Sequence, residues 1–208
     1  MLKMYMYDMR VLDDEKEYKR MFDKASEYRR EKALKGRKKE HIGAAAVLDM
    51  ALEEFGLAEN KIALTYGEHG KPYISKNMNI NPYIYYNISH SGDYVVCAVS
   101  DTEIGIDIQK TGKANIKIAK RYFTQTEYMN IIKQPDEKSQ GEMFFRIWAL
   151  KESFIKAVGT GMSLSLNSFE IIIDDRNCVT VNQNYKDSTF RFEEHTVPGY
   201  VIAICREI

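Results

Sequence analysis

An apolar run over residues 144–158, followed by Gly159 and Gly161, constrains the fold more than any other stretch of the chain. Glycines directly after an apolar, periodic run are typical of a helix end. On a helical wheel most of its large side chains share one broad arc, and these are Phe144, Ile147, Trp148, Leu150, Phe154, Ile155 and Val158. The run therefore predicts an amphipathic helix that packs one face against a core.

Charged residues interrupt this apolar face. Lys151 falls in the middle of the arc, while Glu152 and Lys156, four residues apart, lie on one edge of it. Because an unpaired buried ammonium is costly, we expect the helix to meet something polar, such as a ligand, an ion or a partner. The alternative is a lysine whose stem snorkels to the surface beside an ordinary Glu–Lys surface pair.

Length, charge and cysteine usage limit the class of protein. The 208 residues suffice for one large domain or two small ones, and Lys plus Arg equals Asp plus Glu at 30 each, which argues against a dedicated nucleic-acid binder. Cys97, Cys178 and Cys205 form no C-x-x-C pair, which favours free thiols in a reducing compartment. We find no signal peptide and no apolar run long enough to span a bilayer. We therefore expect a cytoplasmic protein with neither nucleic acid nor membrane as a partner.

The segment 83–110 predicts strands around a candidate site. Residues 83–88 are typical of a strand that breaks at Ser89-His90-Ser91-Gly92. Residues 94–99 and 104–109 then predict a hairpin. His90 in this break is either a functional group or an ordinary hydrogen-bonded turn histidine.

The strand predicted over 104–109 has one apolar and one polar face. Its isoleucines face one side, while Gly105, Asp107 and Gln109 face the other. Asp107 and Gln109 then point the same way, roughly 7 Å apart along the strand. Gly105 beside them lets a second backbone or a ligand approach closely. Asp107 therefore either meets water, a base or a metal, or is simply exposed to solvent.

Further elements follow along the chain. Thr124 and Glu127 fit a capping box at the start of a helix, which gives Glu127 a structural interpretation as well as a functional one. We expect a polar loop over 134–141 and a closing meander of four strand-like runs after the long helix.

The side chains that remain as candidates for a functional site are rich in oxygen atoms. The chain has neither common nucleotide-binding glycine motif and no Cys/His set with zinc spacing. Asp107, Gln109 and Glu152 suit Mg²⁺ that bridges a phosphate better than a closed protein cage. Positive charge for phosphate oxygens would come from Lys71, Lys151, Lys156 and His90. This pattern predicts a phosphoryl-type transfer from an anionic donor.

Four linked motifs carry a resemblance to a known family: Gly70-Lys71-Pro72, Asn87-Ile88-Ser89-His90-Ser91-Gly92, Gly105-Ile106-Asp107-Ile108, and Trp148-Ala149-Leu150-Lys151-Glu152-Ser153-Phe154-Ile155-Lys156 with the following 159–164. In order and spacing they resemble the 4′-phosphopantetheinyl transferases. The most similar type is the larger, monomeric one that activates nonribosomal peptide synthetases. The similarity extends over nearly the full chain, and the four motifs together are highly specific.

The resemblance implies a reaction and a fold. Such enzymes transfer the 4′-phosphopantetheine group of coenzyme A to a serine of an apo acyl or peptidyl carrier protein. They use Mg²⁺ and release adenosine 3′,5′-bisphosphate. The implied fold is α+β, with two similar halves in one chain, which we divide into 1–104 and 105–208, and with the active site in the cleft between them. The residues leave open whether the carrier belongs to a fatty acid, polyketide or peptide synthetase.

The resemblance also implies roles for individual residues. Asp107 and Glu152 match metal ligands, and Glu127 matches a glutamate that also binds metal or acts as a base. The implied catalytic residues are Glu152, His90 and Lys156. His90 matches a histidine that contacts the pyrophosphate, and Lys156 matches a lysine on the side of the leaving group. Contacts to coenzyme A are expected from Lys71, Ser89, His90, Lys151, Lys156, Lys38 and Lys39, the last two within the basic stretch that follows Gly36.

One position departs from the family pattern. Gln109 stands where this type often has Glu, so one negative charge is absent although an amide oxygen is still available to Mg²⁺. Either Gln109 is a metal ligand or water takes that position. Two other functions also fit the residues: a relative that binds coenzyme A or a carrier protein without transfer, and a Mg²⁺-dependent phosphotransferase that acts on a small molecule.

Overall fold

A computed structural model describes the protein from Met1 to Ile208, except for the side chain of Met162, a residue of the motif at 159–164. The strands are β1 Leu2–Asp8, β2 Leu64–Tyr66, β3 Pro72–Ile74, β4 Tyr85–Ser91, β5 Tyr94–Ser100, β6 Ile104–Lys110, β7 Glu170–Ile173, β8 Val179–Asn182, β9 Phe190–Val197 and β10 Tyr200–Glu207. The α-helices are α1 Glu15–Lys24, α2 Glu27–Lys35, α3 Lys38–Glu53, α4 Ile116–Tyr122, α5 Gln125–Ile132 and α6 Glu137–Val158.

Two three-stranded antiparallel sheets form the centre of the molecule. The first has the order β1-β5-β4 and the second has the order β6-β10-β9. Two small two-stranded sheets, β2-β3 and β7-β8, flank them. The protein is therefore α+β, with two similar halves in one chain, as the family resemblance implied.

The two sheets pack face to face between two helices. One face of the first sheet covers α3, and its other face meets the isoleucines of β6 and β10. The far face of the second sheet covers α6. The layers are thus α3, first sheet, second sheet and α6, and the edges of β4 and β6 lie where the two halves meet. Residues 101–103 connect the sheets, and the division between residues 104 and 105 stays our proposal.

The predicted hairpin over 94–109 is wrong. Its two strands belong to different sheets, since β5 pairs with β1 and β4 whereas β6 pairs with β10. The predicted break at Ser89 is also wrong, because β4 continues to Ser91 and the turn follows at Gly92, which has a φ of +54°.

The long helix begins earlier than its apolar run. The N-terminal cap is Asp136, whose carboxylate accepts the amide of Ser139, so much of the polar loop expected over 134–141 is the first turn of α6. The helix ends at Gly159, with a φ of +80°, as predicted. The capping box of Thr124 and Glu127 at the start of α5 is confirmed.

The closing meander is only partly present. β7 pairs with β8, and β9 pairs with β10, but these two hairpins belong to separate sheets. The three cysteines are free thiols. Within the described part of the chain, each helix is too short or too polar to cross a membrane.

Candidate active site

Asp107 lies at the centre of the candidate site, on the face of β6 that packs against α6. The alternation of β6 turns its isoleucines to the other sheet and Asp107 to the helix. Gly105 allows this close packing, because a Cβ atom there would lie 2.1 Å from the carbonyl oxygen of Ser153 and 2.4 Å from the amide nitrogen of Ala157. Asp107 is consequently 3% exposed.

Three side chains donate to the buried Asp107 carboxylate. Its Oδ1 accepts Lys156 Nζ at 2.6 Å and Ser89 Oγ at 2.7 Å. Its Oδ2 accepts the amide nitrogen of Gln109 at 2.7 Å. Lys156 also donates to Ser89 Oγ and to the carbonyl oxygen of Ile106. These contacts compensate the burial of the Asp107 charge.

Glu152 is the second carboxylate of the cluster. It lies on α6 one turn before Lys156, so both side chains face the same side of the helix. Burial raises the pKa of Glu152, the negative charge of Asp107 raises it further, and the Lys156 ammonium opposes both effects. Two carboxylates therefore share one ammonium here, and an additional cation would relieve their repulsion.

His90 lies next to this cluster, near the end of β4. Strand alternation turns it away from Ser89, toward the first turn of α3. Displacement of water by the surrounding chain lowers the pKa of His90, Glu40 opposes this, and the positive charges of Lys156 and Arg37 lower it further. The imidazole is therefore neutral at pH 7 and can donate or accept one hydrogen bond.

A surface pocket of mixed charge lies at the start of α3. Its walls come from the start of α3, the turn after β4 and the segment after β1, and they are formed by Met9, Arg10, Asp13, Lys38, Lys39, Glu40, Gly92 and Asp93. Lys39 pairs with Asp13, whereas Lys38 is exposed. Arg37 caps α3 in a left-handed conformation, with a φ of 47°. The positive end of α3 and the exposed Lys38 favour an anion at this position, whereas Glu40 and Asp93 oppose it.

Lys71 lies elsewhere than expected. Its ammonium donates to Glu103 Oε2 at 2.7 Å and to the carbonyl oxygens of Ile104 at 3.0 Å and Ala157 at 3.2 Å. Burial lowers its pKa, and Glu103 opposes that change. Because these contacts use all three ammonium hydrogens, the expected phosphate contact of Lys71 is not supported. Lys71 instead connects the first half of the chain to β6 and α6.

Lys151 and Glu127 also lie apart from the Asp107 cluster. Both side chains are 0% exposed, and Lys151 Nζ donates to Glu127 Oε1 at 2.5 Å and to the carbonyl oxygen of Phe169 at 2.9 Å. Glu127 additionally accepts the backbone amides of Thr124 and Ile171. We therefore leave Glu127 out of the metal site and Lys151 out of the coenzyme A contacts that the resemblance implied.

Lys151 takes neither of the two conformations expected for it, a contact to a ligand or a snorkelling stem. The ammonium neither reaches a ligand nor snorkels, because it forms a buried ion pair over the ring of Phe169, 4.2 Å from the ring centroid. Burial lowers the pKa of Lys151, and Glu127 opposes this. The capping box and the central position of Lys151 in the apolar arc were the signals of this structural role.

Sequence reasoning missed Asn87. Its side-chain oxygen accepts the backbone amide of Ile106 at 3.0 Å, directly before Asp107. The available signal was the period of two that puts Asn87 on the same face of β4 as Ser89 and Ser91.

The donor set suits a magnesium ion that keeps several non-protein ligands. Asp107 and Glu152 supply two carboxylates, and the described side chains contain no group of three His, Cys, Asp or Glu residues that could hold a metal by themselves. Mg²⁺ prefers few carboxylates together with waters and phosphate oxygens, so the residues fit this ion. Gln109 directs its amide nitrogen to Asp107, so its oxygen faces away from that carboxylate.

Two family models match adjoining parts of the chain. Residues 22–102 match a model described as "4'-phosphopantetheinyl transferase, N-terminal". Residues 103–205 match the "4'-phosphopantetheinyl transferase superfamily" model. The border between the two matches lies in the connection between the two sheets.

Curated relatives match most of the chain. The 4′-phosphopantetheinyl transferase Sfp of Bacillus subtilis (strain 168) is 36% identical over 165 residues, which cover 79% of this chain and 71% of Sfp. A 4′-phosphopantetheinyl transferase of Bacillus subtilis is 40% identical over 168 residues, covering 78% of this chain and 72% of that protein. Among solved structures, a Bacillus anthracis holo-(acyl-carrier-protein) synthase in complex with CoA (3',5'-ADP) matches with a TM-score of 0.43 and 23% identity, over 51% of this chain and 95% of that one.

Proposed function

The chain belongs to the 4′-phosphopantetheinyl transferase superfamily and resembles its Sfp-like members, and from this premise we propose the reaction of its cleft. We propose that it transfers the 4′-phosphopantetheine group of coenzyme A to a serine of an apo carrier protein, with Mg²⁺, and releases adenosine 3′,5′-bisphosphate. The observation that carries this proposal is the cluster of Asp107, Glu152 and Lys156 between α6 and β6.

In this proposal Asp107 and Glu152 would hold Mg²⁺. Gln109 adds its amide oxygen if the amide turns, and otherwise its nitrogen keeps the Asp107 carboxylate in place. The bound ion would neutralise charge on the diphosphate of coenzyme A and align it for attack.

Glu152 is the proposed general base. It accepts the proton of the carrier serine while the serine oxygen forms a bond to the β-phosphorus of coenzyme A. The bond from this phosphorus to the bridging diphosphate oxygen breaks, and its electron pair leaves with adenosine 3′,5′-bisphosphate.

Lys156 and His90 are proposed to stabilise the departing phosphate. Lys156 directs its ammonium to the Asp107 and Ser89 oxygens, and its positive charge would therefore lie near a diphosphate bound at this cluster. His90 is neutral and donates one hydrogen bond to a phosphate oxygen. Ser89 is a proposed contact to the same phosphates.

The pocket at the start of α3 is the proposed site of the 3′-phosphate of coenzyme A. Lys38 and Lys39 supply positive charge there, and Arg37 lies at the helix end that points to the same pocket. Binding at this position would place the diphosphate over His90, between the two halves of the chain.

The finer properties of the protein are also proposals. We infer a monomer, because the two halves already supply both sides of the cleft. We also propose that it acts in the cytoplasm, which agrees with its three free thiols. Its type would be that of a holo-[acyl-carrier-protein] synthase, and its carrier would belong to nonribosomal peptide or fatty acid biosynthesis.

A mass spectrum tests the proposed function. An apo carrier protein is incubated with this protein, coenzyme A and Mg²⁺, and we expect the carrier to gain one phosphopantetheine. A complex with coenzyme A or carrier and no mass gain would indicate a binding relative instead. If neither binding nor a mass gain occurs, the protein acts on a different substrate.

A further inference from the structure

The edge of β6 that faces β4 is not paired by backbone hydrogen bonds. β6 pairs with β10 along its other edge, and β4 pairs with β5. Side chains occupy the positions that a neighbouring strand would take: Asn87 Oδ1 accepts the amide of Ile106 at 3.0 Å, and Ser91 Oγ accepts the amide of Lys110 at 3.0 Å. The position of β6 at the site therefore depends on side chains from the first half of the chain.

Both backbone polar groups of Ile106, its amide and its carbonyl, form hydrogen bonds with side chains. Asn87 accepts its amide hydrogen, and Lys156 donates to its carbonyl oxygen at 3.1 Å. Asn87 is buried, with 8% exposure, so water does not readily replace it as the acceptor. Asp107 is the next residue along the strand, and its carboxylate accepts Ser89, two residues after Asn87.

We propose that Asn87 is a positioning residue for Asp107. Asn87 accepts the amide of Ile106 and so fixes the position of β6 relative to α6. This position in turn sets the distance from the Asp107 carboxylate to Glu152. Asn87 itself contacts neither of these carboxylates, so it acts through the backbone. The catalytic consequence rests on the proposed function, whereas the structural consequence does not.

The expected effect follows from the sensitivity of such sites to geometry. A displacement of about 1 Å between reacting groups can cost about 100-fold in rate. Loss of a residue that orients a metal ligand typically lowers metal affinity or activity by about 10- to 100-fold. Loss of Asn87 should therefore affect Mg²⁺ binding and kcat, while the KM for coenzyme A, whose 3′-phosphate pocket lies at α3, should change by less than about twofold.

Ser91 provides a matched control on the same strand face. It makes the same kind of contact to β6, but it accepts the amide of Lys110, three residues beyond Asp107 and near the exposed end of the strand. Ser91→Ala should leave Mg²⁺ binding and kcat within about twofold of wild type.

The experiment compares wild type with Asn87→Leu, which removes the acceptor at similar size, Asn87→Asp, which keeps an acceptor oxygen, and Ser91→Ala. Amide hydrogen exchange of Ile106 is measured by NMR without metal, Mg²⁺ affinity by calorimetry, and kcat and KM with an apo carrier. We expect Asn87→Leu to exchange the Ile106 amide at least about 10-fold faster. It should also bind Mg²⁺ about 10-fold more weakly. In Asn87→Asp the protection of the Ile106 amide should remain.

Several outcomes would overturn the proposal. One is unchanged exchange of the Ile106 amide in Asn87→Leu, and another is faster exchange with unchanged Mg²⁺ affinity and kcat, which would make Asn87 purely structural. If Asn87→Leu does not melt cooperatively, Asn87→Ala replaces it under the same criteria. If wild type transfers nothing to the carrier, the proposed function fails, and amide exchange with Mg²⁺ affinity still decides the role of Asn87.

Discussion

At the scale of single residues, the site contains two carboxylates and one ammonium. Lys156 donates to Asp107, which is almost fully buried, while Glu152 has no hydrogen-bond donor among the described side chains. Burial and the Asp107 charge together raise the pKa of Glu152. Part of the folding free energy is thus lost to keep a proton-accepting carboxylate at this position, which is common at functional sites.

Replacing Glu152 by glutamine should stabilise the protein at neutral pH. A raised pKa means that the folded chain binds the Glu152 proton more tightly than the unfolded chain does. The stabilisation from this proton is complete below the unfolded pKa and is lost as the pH rises through the folded pKa. Glu152→Gln should therefore raise the Tm by about 2–4 °C at pH 8 and by nothing near pH 4.

Thermal melts at both pH values measure this effect. Glu142→Gln, at an exposed glutamate of the same helix, serves as the control and should leave the Tm unchanged at either pH. In metal-free buffer, a Tm of Glu152→Gln at or below that of wild type at pH 8 would show that burial and Asp107 together do not destabilise the Glu152 charge.

At the scale of elements, α6 brings the two groups of charged residues to opposite sides. Glu152 and Lys156 face β6, whereas Lys151 pairs with Glu127 of α5 beneath β7. The sequence pattern predicted this helix, its glycine end and the capping box of α5, because local side-chain chemistry determines all three. The start of α6 was missed, since its first turn is solvated and carries no apolar period.

Strand pairing could not be predicted from the local pattern. Residues 94–109 read as a hairpin, but both flanking strands are buried on two faces, so alternation does not indicate which sheet each one joins. The protein partners of Lys71 and Lys151 could not be predicted for a related reason. In the sequence alone, a lysine that pairs with a carboxylate far along the chain cannot be distinguished from a lysine that binds a ligand. Only the fold shows that Lys71 meets Glu103 and that Lys151 meets Glu127.

Breaking the Lys151–Glu127 pair should destabilise the protein strongly. Lys151→Met leaves the Glu127 charge buried with only two backbone donors, at a cost of about 3–5 kcal/mol in the free energy of unfolding. The double variant Lys151→Met, Glu127→Gln removes both charges and should recover part of this loss. Denaturant unfolding measures both, and Lys138→Met, in an exposed pair of the same helix, should unfold like wild type.

A single-variant loss as small as that of Lys138→Met would contradict the assignment of Lys151 to a buried ion pair. It would instead return Lys151 to the groups that reach solvent or ligand, as the sequence first indicated.

The contact between α6 and β6 should not tolerate a side chain at position 105. The Cβ atom of Gly105→Ala would meet backbone atoms of Ser153 and Ala157, which cannot rotate away, so α6 must shift. We expect a loss of about 1–3 kcal/mol in stability. Because α6 carries Glu152 and Lys156, kcat should fall further than stability explains, by about 100-fold.

Gly112→Ala is the matched control for this shift of α6. An added Cβ there would lie 3.8 Å from Phe145 Cε2, an ordinary contact. Denaturant unfolding and transfer assays on both variants, at a temperature where both are folded, decide the point. Equal activities of the two variants would show that the spacing of α6 and β6 does not control the site.

At the scale of the whole molecule, the site exists only because the two halves pack together. Asp107, Glu152 and Lys156 come from the second half, whereas Ser89, His90 and Asn87 come from the first. Lys71 and Tyr200 make further hydrogen bonds across the same boundary, to Ala157 and Asp93. The motifs indicated the residues of this site, but only the packing of the sheets showed which of them meet.

The transfer rate of Asp107→Ala decides whether the buried Asp107 carboxylate is needed for the reaction. Initial rates are measured by mass spectrometry of an apo carrier with saturating coenzyme A and Mg²⁺, beside wild type and Asp101→Ala, whose carboxylate is exposed and pairs with the N-terminus. We expect Asp107→Ala to melt cooperatively and to lose at least about 10²-fold in rate, while Asp101→Ala transfers like wild type. Near-normal transfer by Asp107→Ala would overturn the assignment of Asp107 to the active site.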